Sequence, residues 1–178
     1  EECTRQAESM LALVGLQSYY LDRDQINQAL DLLNTHVAAY PTLLTEGYPN
    51  LLRYAFGILY SRKNFAAEAA RAFEESSKDF IPSYEVYRHL FDYHMRNNDQ
   101  RGAAAVIQQA LDAFPAYMPF LESAKQVWDA LPGEVDLSGI LKRAVHLHPH
   151  TLPYHFLTAG LLVQQGKLDE ARALYASL

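Results

Sequence analysis

One spacing limits what this chain can fold into more than any other property: a helical pattern led by a small residue returns every 34 residues. A step of 34 from Ala110 and Pro115 lands on Ala144 and Pro149, and the same step back from Ala103 and Ile107 lands on Ala69 and Phe73. Forward from Ala103 the pattern passes through Leu137 to Ala171, followed at the same offset by Tyr175. Toward the N-terminus Ala29, Leu33 and Pro41 repeat it, but 40 residues before the Ala69 unit, so six residues are inserted at about Leu44 to Pro49. A period of this size marks a supersecondary unit too small to bury its own apolar face. Such units are stabilised by stacking on their own kind.

The clearest unit runs from Ser83 to Pro115. Tyr87, Leu90, Phe91 and His94 fall at i, i+3, i+4 and i+7, one face of an α-helix. Asn97-Asn98-Asp99 breaks that helix, a second carries Ala103, Ile107, Ala110 and Leu111, and Pro115 ends it because proline cannot continue the hydrogen-bond ladder. The same reading predicts five antiparallel pairs at 4–21/25–39, 50–62/66–79, 83–96/100–113, 118–130/136–147 and 153–165/168–178. Asp22-Arg23-Asp24, Leu131-Pro132-Gly133 and Gly166-Lys167 supply further turns, and Ile81-Pro82 ends the fourth helix. The insertion, with Gly47 and Pro49, reads as a surface loop or an extended helix end.

This pattern resembles the tetratricopeptide repeat (TPR), whose units ask for a large residue, Leu, a small residue and Tyr on the first helix, and Ala, an aromatic, Ala and Pro on the second. The matching positions are Leu13/Leu16/Gln17/Tyr20 with Ala29/Leu33/His36/Pro41, and Arg53/Phe56/Gly57/Tyr60 with Ala69/Phe73/Ser76/Pro82. Next come Tyr87/Leu90/Phe91/His94 with Ala103/Ile107/Ala110/Pro115, and Leu121/Ala124/Lys125/Trp128 with Leu137/Leu141/Ala144/Pro149. His155/Thr158/Ala159/Leu162 with Ala171/Tyr175/Leu178 complete the series. The small residue survives only as Gly57 and Ala159; Gln17, Phe91 and Lys125 replace it elsewhere, and those pairs should pack less tightly. The resemblance implies an all-α, right-handed α-solenoid of about five hairpins, with repeats at about 10–43, 50–83, 84–117, 118–151 and 152–178 in one domain. Its divergence also admits the related half-a-TPR repeats of RNA-processing scaffolds.

Composition agrees. At 178 residues, 49% hydrophobic and 12% aromatic, the chain suits one well-cored domain, and no apolar run is long enough to span a bilayer. A net charge of -6 repels a phosphate backbone, so direct RNA binding stands behind protein binding. A single cysteine, Cys3, excludes an internal disulfide, and the absence of disulfides favours an intracellular compartment, cytoplasmic or nuclear.

Catalytic constellations are missing: no phosphate-binding glycine loop, zinc helix, serine elbow or spaced acid/base pair is present. His146, His148, His150 and His155 fall within ten residues, but the repeat register points them in different directions. They read as histidines at a helix C-terminus, with His155 in the core, and no metal or cofactor is expected.

Function therefore rests on a surface. In a solenoid of this kind the first helix of each hairpin lines the inner wall. The register assigns Val14, Leu51, Tyr54, Ile58, Arg62, Arg88, Asp92, Met95, Arg96, Glu122, Gln126 and Phe156 to a groove for a partner protein or peptide. Apolar and aromatic groups dominate its early part, arginines its middle and acids its fourth repeat. The carboxylate clamp of some TPR co-chaperones, built on paired Lys and Asn, is absent, since those positions read Val14/Ser18, Tyr54/Ile58 and Arg88/Asp92. The expected function is a non-enzymatic scaffold within a multiprotein complex; a subunit of an RNA-processing or transcription complex is the alternative. Leu161, Leu162, Leu174 and Leu178 are expected to form an exposed apolar edge, marking either a fragment of a larger protein or a self-association surface.

Overall fold

The computed structural model describes residues 12–13, 15–44, 49–78 and 83–178. Among them the chain is all-α and contains no strand. Helix α1 includes residues 15–21; then follow α2 (Ile26–Ala39), a 3-10 turn (Pro41–Leu44), α3 (Pro49–Arg62), α4 (Ala66–Ser77) and α5 (Tyr84–Arg96). The series continues with α6 (Gln100–Ala113), α7 (Met118–Ala130), α8 (Leu137–Leu147), α9 (Leu152–Gln164) and α10 (Leu168–Ala176). The periodicity thus placed α2 to α10 to within two residues at each end, and the end of α1 at residue 21; the start expected for α1 at residue 4 lies outside the described residues. Cys3, Val14, residues 45–48 and Ile81-Pro82 lie outside the described residues.

The hairpins share one device for turning. Asp24, Asn64, Asn98 and Gly166 each adopt positive φ, between 56° and 74°, just past a first helix. Beside them the amides of Gln25, Phe65, Asp99 and Lys167 donate to the carbonyls of Tyr20, Tyr60, His94 and Leu162, each at 2.9 Å. This is a glycine-type helix stop: a left-handed residue lets the chain fold back and satisfy a carbonyl the helix leaves open. The ends of the second helices are equally regular. Tyr40, Phe114 and His148 precede proline and share φ near -135° and ψ near 70°, because the proline ring drives the preceding residue out of helical space.

Contacts divide the chain into two compact units, residues 1–93 and 94–178. In the first, Leu13, Ala29, Leu30, Leu33, Leu52, Ala55 and Leu59 form one buried cluster. Phe73 of α4 is sealed and stacks on the His89 ring of α5, centroids 4.9 Å apart and planes 9° apart. Gly57 of α3 is required here, since a Cβ at that position would stand 2.6 Å from the Phe73 ring. Gln17, at the equivalent position of α1, is buried and its Nε2 donates to the Ala55 carbonyl at 3.4 Å.

In the second unit Ile107, Ala110 and Leu111 of α6, Leu121, Ala124 and Val127 of α7, and Leu141 and Ala144 of α8 are sealed. Polar groups close its ends. Asp99 and Asp136 cap α6 and α8 by accepting from the amides of Gly102 and Gly139, at 2.9 and 3.0 Å. Arg143 donates to the Leu111 carbonyl at 2.8 Å, and the Tyr154 hydroxyl donates to the Ala116 carbonyl at 2.6 Å. Ala69, Ala103 and Ala171 are all buried, as the repeat pattern requires. The expected apolar edge needs correction: Leu161 is buried and Leu162 and Leu174 are partly buried, because α9 packs against both α8 and α10, so only Leu178 of the four is exposed.

Candidate surface for a partner protein

In the first unit the groove positions fall on α3 and α5. Leu51, Tyr54 and Ile58 are partly buried at i, i+3 and i+7 of α3, and Leu51 also packs against the core cluster. The Tyr54 ring leans on Phe73, centroids 5.9 Å apart, and its hydroxyl reaches across to donate to the Glu85 carboxylate of α5. Glu85 accepts a second hydroxyl from Tyr84, at 3.3 Å. Burial, and after it the hydrogen bond to Glu85 and that carboxylate's charge, pushes the Tyr54 pKa well above the usual tyrosine range. The hydroxyl is therefore a fixed donor. Glu85 escaped the sequence reading because the register that puts Tyr54 on the inner face has no term for which charged neighbour a hydroxyl will select.

Charge along α5 alternates. Glu85, Arg88 and Asp92 occupy i, i+3 and i+7, with Arg88 and Asp92 exposed and Arg88 close enough to act on the Tyr54 hydroxyl. Arg62, at the end of α3, is exposed as well. Arg62, Arg88 and Asp92 form no ion pair among the described residues, whereas Arg53 of α3 meets Glu75 of α4 at 3.5 Å.

The second unit carries the remaining positions. Met95 is partly buried and Arg96 exposed at the end of α5; Glu122 and Gln126 are exposed on α7, where Lys125 meets Asp129 at 2.6 Å. Phe156 of α9 is half exposed and rests on the Tyr175 ring of α10, centroids 6.2 Å apart. His146, His148 and His150 are exposed, and His155 is buried with Nε2 donating to the Pro149 carbonyl at 2.7 Å. No cluster of three or more His, Cys, Asp or Glu that could hold a metal ion occurs among the described residues. No described helix is long and apolar enough to cross a membrane.

Comparison with known proteins bears on the same elements. The sequence profile of the tetratricopeptide repeat matches residues 54–117. By fold, the chain is similar to a tetratricopeptide repeat protein from Parabacteroides merdae, with TM-score 0.69 at 12% identity, over 96% of this chain and 65% of that one. It is similar to MamA, with TM-score 0.61 at 13% identity over 90% of each chain. It also resembles YrrB, described as a TPR protein with an unusual peptide-binding site, with TM-score 0.62 at 11% identity over 98% of this chain and 89% of that one. No curated protein matches by sequence.

Proposed function

We propose that this chain, which is similar to the tetratricopeptide repeat family in sequence over residues 54–117 and to tetratricopeptide repeat proteins in fold, is a non-catalytic interaction scaffold holding a partner peptide or subunit within a multiprotein assembly. The α3–α5 face carries this reading. Leu51 and Ile58 offer apolar contact, Tyr54 is packed on Phe73 and hydrogen-bonded to Glu85, and Arg62, Arg88 and Asp92 on the same two helices are exposed and form no ion pair among the described residues. A pre-set tyrosine beside exposed arginine is a composition enriched among the residues that dominate binding energy at protein interfaces, since a held ring loses little entropy on docking. Structural likeness to YrrB, whose description names a peptide-binding site, agrees with it.

The experiment is a comparison of captures. The wild-type chain and a Tyr54→Ala/Arg88→Glu variant are used as baits, with Glu74→Lys on an exposed face of α4 as control. The reading expects a protein retained by wild type and control and lost by the groove variant. Retention by all three would overturn it. Binding that collapses steeply with added salt would point to phosphate contacts instead.

A further inference from the structure

The α3–α5 face repeats along its length at the interval at which an extended peptide repeats its side chains. Tyr54, Ile58 and Arg62 follow one another at i, i+4 and i+8 on α3, so each lies about 6 Å beyond the last along the helix axis. An extended peptide rises about 3.3 Å per residue and turns alternate side chains to one side, so its residues i, i+2 and i+4 recur about every 6.6 Å. The two intervals match. Arg88 of α5 marks the Tyr54 end, because its charge acts on the Tyr54 hydroxyl.

Each end of this short track suits a carboxylate, and its centre does not. Arg62 and Arg88 are exposed without an ion pair among the described residues, and an exposed guanidinium can hold a carboxylate through two parallel N–H bonds. The Tyr54 hydroxyl is already given to Glu85, so the tyrosine presents its ring to a ligand, beside Ile58. Asp92 stands one turn past Arg88 on α5, as Ile58 stands one turn past Tyr54 on α3, and its charge opposes a third acid at the centre. A chain of net charge -6 repels an acidic segment over most of its surface, which confines the attraction to the two arginines. We infer that the partner segment is an extended peptide of the pattern acid, any residue, apolar, any residue, acid, with one carboxylate on Arg88, the apolar side chain on Tyr54 and Ile58, and the other carboxylate on Arg62. The pattern is the same in either chain direction. It rests on the scaffold role proposed above and names the chemistry of what that face holds.

Fluorescence anisotropy with labelled serine- and glycine-rich peptides carrying Glu-Ser-Leu-Ser-Glu tests it. The wild-type chain should bind this peptide about tenfold more tightly than the same peptide with Lys for both Glu, with Ser for Leu, or with the order Glu-Glu-Leu-Ser-Ser. Arg62→Gln and Arg88→Gln should each lose about the same factor, whereas Arg71→Gln, on an exposed face of α4, should lose nothing. Arg88→Glu should prefer Lys-Ser-Leu-Ser-Glu. Equal affinity for the glutamate and lysine peptides, no binding of either, or equal losses from Arg71→Gln and Arg88→Gln would overturn the inference. The peptide series is read on the wild-type chain, so the outcome does not depend on any variant folding. A protein captured through Tyr54 while these peptides show no charge preference would keep the scaffold reading and remove only this pattern.

Discussion

The α3/α4 hairpin and the α7/α8 hairpin have the same plan and are held together at different places. In the first, Gly57 lets the α3 backbone approach the Phe73 ring so closely that no Cβ fits, and the two helices lie against each other along their length. In the second, Lys125 stands where Gly57 stands in the first, its ammonium turned to Asp129, and α7 and α8 approach far less closely. The α9/α10 pair, with buried Ala159 at that position, is intermediate. What the α7/α8 hairpin lacks along its length it supplies at its turn: Gly133 at φ 104°, Val135 buried beneath it, and Asp136 capping the next helix. The α3/α4 hairpin has no such cap, since Phe65 fills that place without a side-chain hydrogen bond. The lesson is that one side-chain volume decides whether a hairpin is held by its faces or by its ends.

The sharpest way to break this comparison is Gly57→Leu. Overpacking against the sealed Phe73 ring should cost about 3 kcal/mol in urea unfolding. Lys125→Leu, at the equivalent position, should change stability by less than about 0.5 kcal/mol. Equal costs would show that both hairpins are packed alike. Combining Gly57→Leu with Phe73→Ala should recover part of the loss, because the two residues share one space.

Changes at the turns should show the opposite preference and a smaller effect. Gly133→Ala forces an alanine into left-handed backbone and should cost about 1–2 kcal/mol. Asp136→Ala, removing the cap of α8, should cost about 1 kcal/mol, while Phe65→Ala loses no cap. If Phe65→Ala proves as costly as Asp136→Ala, the ends matter equally in both hairpins.

The smallest effect is a pH dependence at the other capped helix. The amide of Gly102, and after it His94 at 2.8 Å, hold the Asp99 carboxyl below the usual carboxylate range. With its folded pKa depressed, Asp99 contributes stability that is fully present above the ordinary carboxylate value of about 3.9 and is lost as pH falls through the lower folded value. Asp99→Asn should flatten that acid limb of a stability profile measured by circular dichroism, and a curve unchanged by the substitution would remove Asp99 from the account.

Most of the fold could be read from the residues, because helix ends depend on local chemistry. Asn98 and Gly166 announce left-handed turns, and Pro41, Pro115 and Pro149 announce helix ends, each in the position where the backbone requires it. The grading of hairpin closeness was also legible, from Gly57, Ala159 and Lys125 alone. The candidate surface was less so. Periodicity places Tyr54 on the inner face, but its bond to Glu85 joins residues 31 apart on different helices and depends on how those helices are set against each other. Leu161 was misplaced for a related reason. Its neighbour Leu162 follows a similar apolar pattern, and a helix with no charged side chain from Leu152 to Gln164 gives periodicity no polar face to separate them.

The prolines that bracket the long first spacing have a use beyond punctuation. Pro41 follows the end of α2 and Pro49 begins α3, so the six additional residues lie between a stop and a start that are each set by their own ring. Extra length between two such fixed points does not propagate as a shift of helix register on either side, and lengthening a loop adds only a slowly growing closure cost. Foreign sequence inserted between the two prolines, such as an affinity tag or a reporter, should therefore leave the repeats before and after it in phase, provided that it spares Leu43, which packs against the core.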